Sequence, residues 1–183
     1  MWMTSRGKRI VVFTGIMMLL AGAAVWALAG DGRGLEGMKK LVRVRFPSVQ
    51  AISTEDLSAW LKDGAKTKPV LLDVRTEAEF KVSHLLGARR VDPEAKAEDV
   101  LPLIERDRPV VAYCSVGYRS SAMVDRLRKA GVAKVFNLEG SIFQWANEGR
   151  PLQRDGKTAT TVHPYNATFG KMLDSERRAQ ISD

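Results

Sequence analysis

The chain is short of cysteine, of dense basic clusters and of repetition, and each shortage narrows what it can be. Cys114 is the single cysteine, so no intramolecular disulfide forms and cysteine usage says nothing of the redox compartment. A lone cysteine is most often an inert buried hydrophobe, and only its neighbours can argue otherwise. Formal net charge is +8; beyond Arg6, Lys8 and Arg9 the basic residues are spread along the chain. Nucleic-acid binding calls for a basic stripe interleaved with aromatics, or for a reading helix. Neither is present, so no nucleic-acid partner is expected; a solvated basic surface tolerant of anionic ligands or lipid accounts for the charge. There is no internal repeat and no low-complexity run. With 45% hydrophobic and 27% charged residues, the 183-residue chain suits one globular domain plus an appendage, not a disordered or collagen-like chain.

Residues 10–30 contain no charge and are mostly Val, Ile, Leu, Met, Ala and Phe. About twenty apolar residues at 1.5 Å rise cover the hydrocarbon core of a bilayer. This run reads as one transmembrane helix, after a basic flank over residues 1–9 and before a linker over residues 31–48. The glycines within residues 30–37 suggest a flexible connection. A retained segment anchors the chain by a single pass, in a bacterial cytoplasmic membrane. The alternative is a cleaved signal segment, since Ala27-Leu28-Ala29 fits a small-residue processing site; cleavage there would make the protein secreted or periplasmic. Basic residues stand on both sides, Arg6, Lys8 and Arg9 before and Arg33, Lys39, Lys40, Arg43 and Arg45 after, so the positive-inside rule assigns no side.

From about Ser48 strand-like and helix-like segments alternate, which predicts an α/β domain with a central, mostly parallel sheet flanked by helices. Ser53-Thr54-Glu55-Asp56 opens a helix that turns Leu57, Trp60 and Leu61 inward. Residues 70–74 form a buried strand, and Thr76-Glu77-Ala78-Glu79 caps a brief helix. Residues 88–91 suggest another strand, with helix restarting at Asp92-Pro93. Residues 109–113 give the clearest strand and run straight into Cys114; residues 120–130 form the next helix, closed by Gly131. After a strand over residues 135–138, Ser141-Ile142-Phe143-Gln144 reads as a capping box. The C-terminal extension, residues 153–183, is polar and then helical from about Thr168.

Cys114 therefore sits at the carboxyl end of a parallel strand just before a helix, where open α/β sheets place ligand sites. The helix N-terminus offers unpaired amides and partial positive charge; both stabilise a thiolate, the nucleophilic form. Gly117 permits the tight bend that turns amides inward as a nest, and Arg119 adds a fixed cation. At these residues the chain resembles a family. The loop Cys114-Ser115-Val116-Gly117-Tyr118-Arg119 is similar to the C-x-x-G-x-R loop of single-domain rhodaneses. Leu72-Asp73-Val74-Arg75 with Glu79-Phe80 and His84-Leu85-Leu86-Gly87-Ala88 resembles the family's amino-terminal signature. Leu138-Glu139-Gly140-Ser141 with Trp145 resembles its carboxyl-terminal one. The resemblance covers residues 49–152.

It implies a rhodanese-like fold and a ping-pong sulfurtransferase. Cys114 takes a sulfane sulfur from a small donor such as thiosulfate, and a thiol or other thiophilic acceptor removes it. Residues 115–119 and Ser120 would bind substrate, with Asp73 and Arg75 as a supporting frame, and neither cofactor nor metal is called for. Two positions depart from the pattern. Leu86 stands where many members carry proline, a matter of turn structure. Ser115 brings no cation, whereas members that favour thiosulfate often have basic residues in the loop. Phosphatases and arsenate reductases on the related fold place one more residue between cysteine and arginine, a wider cradle than this six-residue form. The remaining alternative is a non-catalytic membrane-tethered module that binds a partner or senses persulfide. His84 is read as a turn-holding residue, and Tyr118 as facing the pocket mouth.

Overall fold

The computed structural model describes residues 33–105 and 107–181. Five strands form one parallel sheet in the order β1-β5-β4-β2-β3: β1 (Ala51–Ile52), β2 (Val70–Asp73), β3 (Arg89–Arg90), β4 (Val110–Tyr113) and β5 (Val135–Leu138). β2 and β4 lie side by side at the centre, in register from Val70 opposite Val110 to Asp73 opposite Tyr113, and both are buried throughout. Strand side chains alternate between faces, so Val70, Leu72, Val110 and Ala112 enter one core. There they meet Met123, Val124 and Leu127 of α5 (Tyr118–Lys129). Leu71, Val111 and Tyr113 enter the other core, with Leu57 of α2 (Thr54–Lys62) and Ile142 and Phe143 of α6 (Ser141–Asn147). The result is a helix–sheet–helix sandwich in which β4 and β2 end side by side, Asp73 opposite Tyr113. Thr76 caps α3 (Glu77–Val82) with a full capping box to Glu79, and this brings Glu79 beside the end of β4.

Four expectations need correcting. The stretch read as a linker over residues 31–48 contains a helix, α1 (Arg33–Arg45). Leu35, Met38 and Val42 recur at helical spacing and are buried, and their packing offsets the poor helix propensity of Gly34 and Gly37. Asp92-Pro93 makes a turn rather than a helix start; α4 begins later (Ala97–Val100) and runs into a 3₁₀ turn, Leu101–Leu103. The C-terminal extension begins inside a hairpin, β6 (Leu152–Arg154) and β7 (Lys157–Ala159), and its helix α7 is brief (Ala167–Gly170). Two backbone hydrogen bonds between His84 and Gln153 join this hairpin to the core, and Val162, Met172 and Leu173 are buried in it. Lastly, Ser141 is not a helix cap: Gly140 holds that position, and Ser141 itself has a φ of 53°.

Among the described residues no helix is long and apolar enough to cross a membrane. The segment read as membrane-spanning, residues 10–30, lies outside them.

Candidate active site

Cys114 emerges from β4 and its loop leads directly into α5 through Gly117, whose φ of 102° lies in the region that favours glycine. A Cβ there would also come within 3.3 Å of Asn137 Nδ2. The bend aims the Gly117 amide at Cys114 Sγ, 3.2 Å away. The loop is held from behind as well. Ser141 Oγ accepts from the Cys114 amide at 3.1 Å and donates to the Leu138 carbonyl at 3.2 Å. The Ile142 and Phe143 amides, in the first turn of α6, donate to the Cys114 and Ser115 carbonyls. With its carbonyls tied to α6, the loop turns amides towards the sulfur.

Arg119 is fully engaged at its tip. Its Nη1 and Nη2 donate to the two carboxylate oxygens of Glu79 at 2.9 and 2.8 Å, and Nη2 also donates to Ser115 Oγ at 2.9 Å. Ser115 Oγ in turn donates to Glu79 at 2.9 Å, and Thr76 donates to Glu79 from both its amide and its hydroxyl. Burial opposes the charge on Glu79, but the Arg119 guanidinium and the Thr76 donors outweigh it and hold the carboxyl down at about 2. The outer face of Arg119 is covered by the ring of Tyr165, 4.9 Å from centroid to guanidinium carbon. Tyr165 comes from the C-terminal extension and has a φ of 66°, with its amide donating to His163 Nδ1.

The Cys114 side chain is 1% exposed. Burial alone would push its thiol up; the Arg119 charge, the hydroxyl and amide of Ser120 and the Gly117 amide bring it below its ordinary value. The Ser120 hydroxyl has a single hydrogen and is also 2.6 Å from Asn137 Oδ1, so it serves either Asn137 or the sulfur at a given moment. Asp73 and Arg75 form a fully buried bidentate pair at 2.8 and 2.6 Å, and Arg75 also donates to the Ser83 carbonyl. This pair braces the end of β2 beside Tyr113, whose hydroxyl accepts from the Leu85 amide. Val116 is buried in the core, while Tyr118 is partly exposed and meets Phe46 edge-on at 5.2 Å. His84 stacks on Phe80 and bonds the Phe80 carbonyl through Nδ1.

The structure thus sets Gly117, Ser120 and the Arg119 charge about the Cys114 sulfur, ties Ser115 to Glu79 and Arg119, leaves Tyr118 exposed against Phe46 and sets Asp73 and Arg75 behind. Sequence reasoning missed Glu79 as the partner of Arg119, Ser141 as the brace of Cys114, and Tyr165. Glu79 was visible only as a cap, and nothing local marked Tyr165. Among the described residues no cluster of histidine, cysteine or carboxylate is placed to hold a metal ion.

Residues 53–148 match the family model for a rhodanese-like domain. A sulfurtransferase of Allochromatium vinosum is 37% identical over 105 residues, covering 57% of this chain and 94% of that protein. The probable adenylyltransferase/sulfurtransferase MoeZ of Mycobacterium tuberculosis is 32% identical over 101 residues, 55% of this chain but only 25% of that one. Uncharacterized protein YqhL of Bacillus subtilis is 36% identical, with 64% of its length covered. The chain therefore spans a quarter to under two thirds of these last two. Among solved structures, a rhodanese-related protein of Thermoplasma volcanium superposes with a TM-score of 0.50 at 26% identity, covering 57% of this chain and 97% of that one. A thiosulfate sulfurtransferase of Pseudomonas aeruginosa, 22% identical with a TM-score of 0.55 over 68% of this chain and 23% of its own, shares the fold.

Proposed function

Because the chain belongs to the family of rhodanese-like domains, we propose that it is a sulfurtransferase that carries sulfur as a persulfide on Cys114. The observation that supports this most is the convergence on Sγ of a lowered thiol, the Gly117 amide and the Ser120 donors. The Cys114 thiolate attacks the outer sulfur of a sulfane donor. A bond forms between Sγ and that sulfur, the donor's S–S bond breaks, and its remaining fragment leaves with the electron pair, as sulfite if the donor is thiosulfate. An acceptor thiolate or cyanide then attacks the outer sulfur of the persulfide, and the Cys114 thiolate departs. One difficult transfer becomes two easier ones, and no separate base is needed for a thiol already held low.

Arg119 contributes a fixed charge at a distance rather than a clamp on substrate, since both its terminal nitrogens bind Glu79. With Ser115 after the cysteine and the Arg119 charge matched by Glu79, a dianionic donor gains little here beyond the loop amides. A persulfide donor with less charge suits the loop better than thiosulfate does. We place the domain behind a single membrane span over residues 10–30, in a bacterial cytoplasmic membrane, with small sulfur donors and thiol acceptors as its substrates. The decisive measurement is intact mass of the purified protein after exposure to thiosulfate and, separately, to cysteine persulfide, a small donor of lower net charge. Gain of one sulfur atom, reversed by cyanide and absent in Cys114→Ser, is expected, with the persulfide loading faster. No adduct with either donor would sink the transferase reading in favour of a binding or sensing module.

A further inference from the structure

Helix α1 buries Leu35, Met38 and Val42, and at 100° per residue Val44 and Lys40 fall on the side opposite them. Val44 is 75% exposed and Leu41, one turn earlier on the same side, is 40% exposed. Lys40 and Arg45 flank these two and are exposed. Lys39 and Arg43 of the same helix are instead occupied by neighbours, Glu36 and Glu139. A single exposed aliphatic residue means nothing, but an aliphatic pair edged by exposed cations, Lys40 on one side and Arg45 over the Phe46 ring on the other, fits a helix lying in a bilayer interface.

The position of α1 supplies the second observation. It begins at Arg33, three residues after the uncharged run over residues 10–30 ends. Three residues reach at most roughly 11 Å. The headgroup layer itself is about 5–8 Å deep on each side. A helix starting there either stands away from the surface or lies along it, and only the second arrangement removes Leu41 and Val44 from water. We propose that α1 lies on an anionic bilayer surface, with Leu41 and Val44 at the acyl boundary and Lys40 and Arg45 on lipid phosphates. This rests on the membrane-span reading of residues 10–30. Its consequence reaches the active site. Phe46, just past the helix, packs on Tyr118 of the Cys114 loop, so a docked α1 holds that loop at a fixed height above the membrane.

The test uses the full chain, with Cys114→Ser and Val44→Cys carrying a polarity-sensitive fluorophore, reconstituted into vesicles of phosphatidylcholine alone or with a quarter phosphatidylglycerol. Val44 is solvent-facing, so the label leaves the fold intact. The expected result is a blue-shifted, brighter probe on the anionic vesicles, reversed by high salt. Lys40→Gln and Arg45→Gln should each lower the docked-to-undocked ratio roughly fivefold. If the chain resists alkaline carbonate washing but its probe reads as in water on both vesicles, docking is overturned while the span stands. If carbonate removes the chain yet the probe shifts on anionic vesicles, docking stands and the span falls. A shift that grows with protein concentration without lipid would show the stripe meeting a second copy, and would overturn the proposal.

Discussion

Replacing Glu79 by Gln tests the charge arrangement of the site through stability. Glu79 is buried, its carboxyl is held at about 2 against an ordinary 4.5, and the responsible partners are Arg119 and Thr76. A folded value below the unfolded one means stability that is present above pH 4.5 and is lost as pH falls towards 2. The difference of 2.5 units, 4.5 minus 2, corresponds to roughly 3 kcal/mol at 1.36 kcal/mol per unit. Linkage leaves nearly all of it at pH 5 and removes roughly 2 kcal/mol by pH 3. The raised value of Arg119 reports the same pair from its other member and adds nothing further. Glu79→Gln keeps the shape and an oxygen for Thr76, replaces the acceptor of Arg119 Nη2 and Ser115 by an amide NH2, and abolishes this titration. Urea unfolding of both proteins at pH 5, 4 and 3 should show the wild type ahead by roughly 2–3 kcal/mol at pH 5, with the gap shrinking by roughly 2 kcal/mol at pH 3. Parallel stability curves over that interval would refute the assignment of the low carboxyl to Glu79.

The same pair predicts opposite signs at Cys114. Arg119→Met removes the cation and strands the Glu79 carboxylate, so the thiol should rise and iodoacetamide alkylation of Cys114 near pH 6 should slow markedly. Glu79→Gln removes the counter-charge and one of the two acceptors of Arg119 but leaves the cation, and alkylation near pH 6 should be as fast as in the wild type or faster. Gly117→Ala must adopt a φ of 102° and crowd Asn137 Nδ2 at 3.3 Å, so it should lose about 1–3 kcal/mol in urea unfolding and load sulfur more slowly. Ser141→Ala leaves the buried Cys114 amide without its acceptor and should cost about 1–3 kcal/mol, read by the same unfolding assay.

How much of this was legible beforehand depended on the range of each interaction. Cys114, Gly117 and Arg119 act within one strand–loop–helix unit, and their spacing alone announced an anion-holding turn. The strands at residues 70–73 and 110–113 were equally plain, because burial on both faces writes an unbroken aliphatic run. Ser141 misled because Ser-x-x-Gln satisfies the local capping pattern, whereas its hydroxyl serves an amide 27 residues earlier. The hairpin after residue 152 had its cue in Asp155-Gly156, whose φ values of 50° and 73° suit a tight two-residue turn; with only three residues per strand, no alternation drew attention to it. α1 carried its spacing at Leu35, Met38 and Val42, but the glycines among them weighed towards flexible chain, and only packing decides between the two.

Glu79 shows why the arginine of the loop could be found from sequence while its function could not. The spacing from Cys114 to Arg119 says that a cation closes the turn; it does not say where its hydrogen bonds go. Both terminal nitrogens go to Glu79, 40 residues earlier, and the face goes to Tyr165, 46 residues later. A guanidinium so occupied cannot also grip an incoming donor without giving up a buried carboxylate, and a stranded buried charge costs several kcal/mol. Its remaining influence on the reaction is electrostatic, on the thiolate it helps to hold. That leaves the backbone amides of the loop, which discriminate poorly between anions, to receive the donor. In the proposed transfer, donor choice would therefore be governed by what can reach a cysteine 1% exposed, more than by what a free cation would attract.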